Sequence, residues 1–225
     1  MSDNNKKHII YRLSGMGADY RLFSELKPIN GCEFVDIEWQ QFSNVKSLSD
    51  YAIELSKQID TSEPFSLLGV SMGGMVCSEL TDIINPEKAV IISSAKTTKE
   101  IPPSYKRLQF LGITRLLNKE KMRYLLGNPA RFFGVMNSEQ RKLFYQMSEN
   151  IDIDFIAWSV KAILSWKKKS ASSKIVHIHG TSDVVLPYKN IIPTITIENG
   201  DHMMIWNKSD EINKILKSIF EKVDS

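Results

Sequence analysis

The chain has 225 residues, 42% hydrophobic and 24% charged, with a formal net charge of +3. That is the balance of a soluble globular protein, one domain of ordinary size with a substantial core. No apolar stretch approaches the roughly 18 residues that cross a bilayer, and no stripe of arginines and aromatics marks a nucleic-acid module, so neither membrane insertion nor a nucleic-acid partner is expected.

The polar start MSDNNKKH runs into only five strand-like residues and reads as no secretory signal, which points to the cytoplasm. The first strand pattern is HIIYRL (8–13), followed by the glycine-rich LSGMGAD (13–19). DYRLFSEL (19–26) has helical spacing, CEFVDI (32–37) is a second strand, and LSDYAIELSKQI (48–59) is a helix. Pro64 introduces the strand FSLLGV (65–70), which meets the helical MGGMVCSELTDII (72–84) with almost no loop, and Asn85-Pro86 punctuates its end. KAVIIS (88–93) is the fourth strand; KIVHIH (174–179) and TITIEN (194–199) are the last two, before a helix DEINKILKSIFEKV (210–223). Continuous apolar runs alternating with helices predict a parallel α/β sheet covered on both faces.

One interval breaks the alternation. Residues 97–169 carry helical stretches (YKRLQFLGITRLL, SEQRKLFYQM, DFIAWSVKAILSW) and no strand, too much chain for a simple crossover. The expected division is a core of 1–96 and 170–225, with 97–169 a helical insertion over one end of the sheet. Residues 96–169 hold fifteen Lys/Arg and six Asp/Glu, either a face for anionic partners or a set of solvated helices. Most of the interval's aromatics, among them Tyr124, Phe132, Phe133, Phe155 and Trp158, should face inward. The two cysteines, Cys32 and Cys77, are expected to be reduced, Cys77 as a packed thiol.

Chemistry concentrates where FSLLGV bends into its helix. Gly69-Val70-Ser71-Met72-Gly73 is a G-x-S-x-G sequence. At so tight a turn the backbone of the central residue is strained, and the residues two before and two after it come close; glycine at Gly69 and Gly73 removes the side chains that would collide. The turn lifts the Ser71 hydroxyl clear of the sheet at a helix N-terminus, where unpaired N–H groups favour developing negative charge. A serine hydroxyl needs a base, and the base an orienting acid. Of four histidines, His8 lies near the polar N-terminus, and His177 and His179 sit within a strand, where a satisfied core role is the default. His202 follows the last strand in ENGDHMMIW, at the same sheet edge as Ser71. Asp183, in GTSDVVLP, leads as the acid over Asp201 and Glu100. Two N–H donors for an oxyanion are expected from Met72 and from Met16, the latter in the loop shaped by Gly15 and Gly17. A dinucleotide loop at G-M-G is disfavoured because the third glycine is missing.

Together these segments resemble the α/β-hydrolase superfamily: LSGMGAD as oxyanion loop, GVSMGG as nucleophile elbow, GTSD for the acid and NGDH for the histidine. The resemblance spans nearly the whole chain. It implies a mostly parallel six-stranded sheet flanked by helices, lacking the family's usual antiparallel first two strands, with a helical cap at 97–169. Ser14-Gly15 stands where many relatives have His-Gly, so the hydrogen bonds supporting the loop should differ. The family implies a serine hydrolase acting on a small-molecule ester or acyl thioester, anionic or carrier-bound substrates included, without metal or organic cofactor. A serine at the elbow argues against dehalogenase and epoxide-hydrolase chemistry. A non-catalytic binding protein that keeps the fold, and a small-molecule lyase, stay open as alternatives.

Overall fold

The computed structural model describes residues 7–42, 44–110, 133–149 and 152–221. Six strands form one sheet: β1 His8–Leu13, β2 Cys32–Asp36, β3 Phe65–Val70, β4 Ala89–Ile92, β5 Ile175–Gly180 and β6 Ile195–Ile197. Their order is β2-β1-β3-β4-β5-β6, and every pairing is parallel. The chain moves outward from β1 to β2, then crosses back to β3 on the other side. The strand order therefore reverses between β1 and β3, where parallel sheets open a crevice at their carboxyl ends. Leu13 lies opposite Gly69 in that register, so the loop after β1 and the bend after β3 emerge side by side.

Alternation along the strands explains why both faces are covered. Leu67, Ala89, Ile91 and Ile175 point to one face, where they pack with α1 (Leu48–Ser56) and α2 (Met72–Ile83). Leu68, Val70, Val90, Ile92 and Ile178 point to the other, against α6 (Met204–Asn207) and α7 (Ser209–Phe220). Strands buried on both sides need no polar alternation, which is why they read as unbroken apolar runs. Removing a large aliphatic group such as Leu67 from this core costs about 2–5 kcal/mol. Between β4 and β5 lie α3 (Pro103–Phe110), α4 (Ser138–Glu149) and α5 (Ile153–Leu164), and no strand occurs there among the described residues.

Several elements end earlier than their sequence patterns. The helix expected over 19–26 is only a 3₁₀ turn, Tyr20–Phe23, capped by the Asp19 side chain on the Arg21 N–H. β6 is confined to three residues between Pro193 and Asn199, the latter in the left-handed region at φ 55°. His8 opens β1 as the strand pattern 8–13 predicts, but it is buried rather than part of a polar N-terminal arm, with Nε2 2.9 Å from the Ser66 hydroxyl. Cys77 is fully buried, and burial pushes its thiol pKa far up. No helix among the described residues is long and apolar enough to cross a membrane.

Candidate active site

Ser71 ends the bend between β3 and α2 with φ 53° and ψ −120°, a strained conformation that non-glycine residues rarely adopt. What forces it is the closeness of strand and helix. A Cβ added at Gly69 would stand 2.5 Å from the Gly73 carbonyl oxygen, and one at Gly73 would run into the carbonyl oxygens of Leu13 and Ser14. The turn is held from outside as well: the Ser71 N–H donates to Ile92 O (3.0 Å), and its carbonyl accepts the Ser94 hydroxyl (2.6 Å). Ser94 was not legible as a support. The Ser93-Ser94 pair at the end of a strand was the available signal, and Ser93 is itself left-handed at φ 47°.

The three residues proposed from sequence come together across 131 positions of chain. His202 Nε2 lies 3.0 Å from Ser71 Oγ, and His202 Nδ1 lies 2.8 Å from Asp183 Oδ2. The other carboxylate oxygen, Oδ1, accepts the N–H groups of Val185 and Leu186, each at 2.9 Å. With Asp183 ionised, Nδ1 must carry a proton to bond it; in the neutral ring Nε2 is then free to accept from the serine hydroxyl. Asp183 is buried, and burial pushes its carboxyl up. The charge and hydrogen bond of His202 and the Leu186 N–H outweigh that effect and hold it below the ordinary carboxylate value.

The rival acids are occupied elsewhere. Asp201 turns away from the neighbouring His202 and accepts from the N–H groups of Val135 (2.7 Å) and Met203 (2.9 Å) and the Asn207 side chain (2.8 Å). Glu100 is buried and accepts the Lys96 N–H at 2.6 Å and the Ile192 N–H at 3.3 Å. The strand histidines are only partly satisfied. His179 Nε2 meets the Leu186 carbonyl at 2.8 Å, whereas neither ring nitrogen of His177 has a hydrogen-bond partner among the described residues.

The loop 14–18 closes on itself: the Ser14 hydroxyl donates to Ala18 O (2.7 Å) and the Ala18 N–H to Gly15 O (3.0 Å). Gly17, at φ 78°, supplies the left-handed residue the turn requires. Trp39, which the sequence did not single out, fastens the loop through Nε1–H to Gly15 O at 3.2 Å. Gly15 faces the bend closely enough that a Cβ there would be 3.5 Å from Ser71 Cβ. The N–H groups of Met16 and Met72 donate to no acceptor among the described residues. They are the two donors expected to serve an oxyanion.

Beside this loop opens a cavity of about 590 Å³, lined by Ser14, Gly17, Ala18 and Tyr20, by Ile37–Gln41, and by Met147 and Phe155. Ser71 is not in its lining, so the cavity flanks the loop rather than sitting over the hydroxyl. Four carboxylates, Asp19, Asp36, Glu38 and Asp152, also line it, and no Lys, Arg or His among the described residues does. Arg21 and Arg12 neutralise Asp19 and Asp36 from outside.

Three contacts tie the interval between β4 and β5 to loops at this edge. They are Val135 N–H to Asp201, Tyr105 hydroxyl to Val185 O (2.8 Å) and Trp158 Nε1–H to Val45 O (3.1 Å). Phe133 brings its ring to 6.1 Å from the His202 ring. Tyr124 and Phe132, expected to face inward, lie outside the described residues. No three His, Cys, Asp or Glu side chains among the described residues are arranged to hold a metal ion.

No family model and no curated relative matches the sequence. Solved structures do match in shape. A thermophilic esterase from Thermogutta terrifontis superposes with a TM-score of 0.74 at 12% identity, over 98% of this chain and 92% of that one. An esterase from Exiguobacterium antarcticum gives 0.73 at 16% identity, over 95% and 92%. A lipase-esterase related protein from Clostridium acetobutylicum gives 0.68 at 15% identity, over 96% of each chain. The fold is that of the α/β-hydrolases.

Proposed function

We propose that the protein is a serine hydrolase that cleaves carboxylic esters or thioesters through an acyl-enzyme. The observation that carries this reading is the unbroken chain from Ser71 Oγ through the His202 ring to the buried Asp183 carboxylate, at 3.0 Å and 2.8 Å, on a strained strand-to-helix bend. In the first half-reaction Ser71 Oγ attacks the carbonyl carbon while its proton passes to His202 Nε2. The imidazolium is stabilised by Asp183, and the oxyanion accepts the N–H groups of Met16 and Met72. Collapse breaks the bond to the leaving alkoxide or thiolate, which takes the proton from Nε2. In the second half-reaction water loses a proton to Nε2 and attacks the acyl carbon; Ser71 Oγ leaves and recovers that proton as the acid is released. No step calls for a cofactor.

Residues 97–169 are inferred to form a cap over the edge that carries Ser71. The ties from Val135, Tyr105 and Trp158 to the loops after β6, β5 and β2 support that placement. The carboxylates in the flanking cavity favour a neutral small-molecule ester over an acidic one as the first substrate to try, with anionic and carrier-bound thioesters as the second. The buried free thiol of Cys77 fits a reducing compartment such as the cytoplasm.

The test is labelling with a fluorophosphonate probe, followed by mapping of the modified residue. The adduct is expected on Ser71 alone, and Ser71→Ala is expected to lower hydrolysis of short p-nitrophenyl esters by about a thousand-fold or more. Labelling at another serine, or unchanged turnover in the folded variant, rejects the assignment.

A further inference from the structure

Beside Asp183 lies a second imidazole that the mechanism above does not use. His179 is buried near the end of β5, with Nε2 2.8 Å from the Leu186 carbonyl and 3.6 Å from Asp183 Oδ2. A carbonyl only accepts, so Nε2 is the protonated nitrogen. Leu186 is also the residue whose N–H donates to Asp183 Oδ1. One peptide thus cradles the carboxylate through its N–H and is held by His179 through its C=O. The carboxylate oxygen near this Nε2, Oδ2, is the one that bonds His202.

The ring's other nitrogen, Nδ1, is buried without a partner among the described residues, and His177 stands edge-on at a centroid distance of 5.2 Å. The titratable groups around the ring are Asp183 and His202 from two loops, and His177 on its own strand. Glu100 and Lys96 lie beyond His177, and Tyr105 of α3 bonds the Val185 carbonyl. A second proton on Nδ1 would find no acceptor, so the ring is neutral, as its burial also dictates. An aliphatic side chain would fill this space without an unsatisfied nitrogen. The imidazole contributes what an aliphatic group lacks, a fixed donor that brings no positive charge to compete with His202 for Asp183.

We propose that His179 is a positioning residue for the acid: its Nε2–H locks the 183–186 turn and points the Asp183 carboxylate at His202. Its effect on turnover rests on the hydrolase reading above; its effect on the Asp183–His202 bond does not. Glutamine can place an amide donor near the position of Nε2, leucine fills space without a donor, and asparagine keeps polarity but falls short of Leu186.

The experiment compares the wild type with His179→Leu, His179→Gln and His179→Asn, each checked for folding by circular dichroism. The first readout is the low-field proton resonance of the His202 Nδ1–H bonded to Asp183, assigned by its loss in His202→Gln. It is expected to shift upfield or broaden by exchange in the Leu and Asn variants and to persist in Gln. The second is ester turnover: kcat should fall about tenfold in Leu and Asn, the rate equivalent of one ordinary hydrogen bond, with KM little changed and recovery in Gln. If Leu fails to fold, Asn against Gln decides. A folded Leu or Asn variant with the wild-type resonance overturns the proposal, and so does a Gln variant that behaves like Leu. If the wild type hydrolyses no ester, the functional reading fails while the resonance still decides the role of His179.

Discussion

Asp201 accepts the Val135 N–H at 2.7 Å across 66 positions of chain, although the next residue in sequence is His202. Its other oxygen takes the Met203 N–H and the Asn207 amide, and Asn207 in turn reaches the Val135 carbonyl at 3.1 Å. The clasp joins the return of the 97–169 interval to the loop that carries His202. Gly134 permits the approach, since its φ is 125° and a Cβ there would meet the Asp201 carboxylate. Asp201→Ala is therefore expected to lower stability by about 2 kcal/mol in urea unfolding, from lost charge-assisted bonds, with kcat falling less than tenfold. A loss of kcat as large as that of an acid variant would move the acid to Asp201.

Asp183→Asn is the complementary case. The amide oxygen can still accept from Val185 and Leu186, which leaves the NH₂ group facing His202 Nδ1, donor against donor. The ring must then expose the wrong nitrogen to Ser71. Turnover of a p-nitrophenyl ester should fall by about 10⁴ in a protein that unfolds normally. A loss of less than tenfold would remove Asp183 from the mechanism.

Two glycines near Ser71 should respond very differently to the same methyl group. A Cβ at Gly73 collides with backbone carbonyls that cannot move without displacing β1. Gly73→Ala should therefore yield insoluble protein, or a folded one whose elbow no longer takes a fluorophosphonate label. At Gly15 the nearest atom is Ser71 Cβ at 3.5 Å, ordinary van der Waals contact. Gly15→Ala should fold with stability within about 1 kcal/mol of wild type. Equal behaviour of the two variants in solubility and labelling would contradict the packing of the bend.

Acid should unsettle the fold through its buried strand histidines. Burial holds the pKa of His177 well below the ordinary histidine value of 6.5, and that of His179 below it. In the unfolded chain both bind protons near that value. Between the folded and unfolded pKa values the unfolded state holds more protons, so stability is complete above pH 6.5 and falls as pH drops below it. Each group can contribute up to about 1.4 kcal/mol per pH unit in that window. Thermal unfolding from pH 7.5 down to about pH 5 should show a falling Tm, and a folded His177→Leu variant should show a shallower fall. Identical slopes would mean that His177 is protonated alike in both states.

What was legible in the sequence follows from which interactions are local. The strands and the bend at Ser71 could be read because apolar runs and the G-x-S-x-G spacing are properties of consecutive residues. His202 and Asp183 could be read because a parallel sheet brings the loops after its strands to one edge. Trp39, Ser94 and His179 could not, since their partners Gly15, Ser71 and Leu186 are met only through the fold, and a serine or histidine at a strand end has no pattern of its own. The helix expected over 19–26 is only the turn Tyr20–Phe23, because helical spacing over eight residues does not by itself supply the packing that propagates a helix.

The charge on the 97–169 interval can be tested against the charge beside Ser71. Among its described basic residues, Lys168 pairs with Asp82 at 2.5 Å, while Arg107, Lys142 and Lys161 are exposed. An exposed basic surface attracts an anionic substrate from a distance, whereas the carboxylates of the flanking cavity, Glu38 and Asp152 among them, oppose its entry at close range. The two effects separate by salt. Long-range attraction between solvent-exposed charges is screened as the Debye length shrinks from about 20 Å to about 7 Å between roughly 20 and 200 mM salt, while close contacts in a cavity are screened far less. For a matched pair of esters, one neutral and one carrying an acyl-chain carboxylate, the neutral ester should have the higher kcat/KM throughout and no salt dependence. The anionic ester should lose kcat/KM severalfold over that range, and charge reversal at Arg107 and Lys142 should abolish the loss. If both esters respond alike, the basic residues form only a solvated face and the steering idea is discarded.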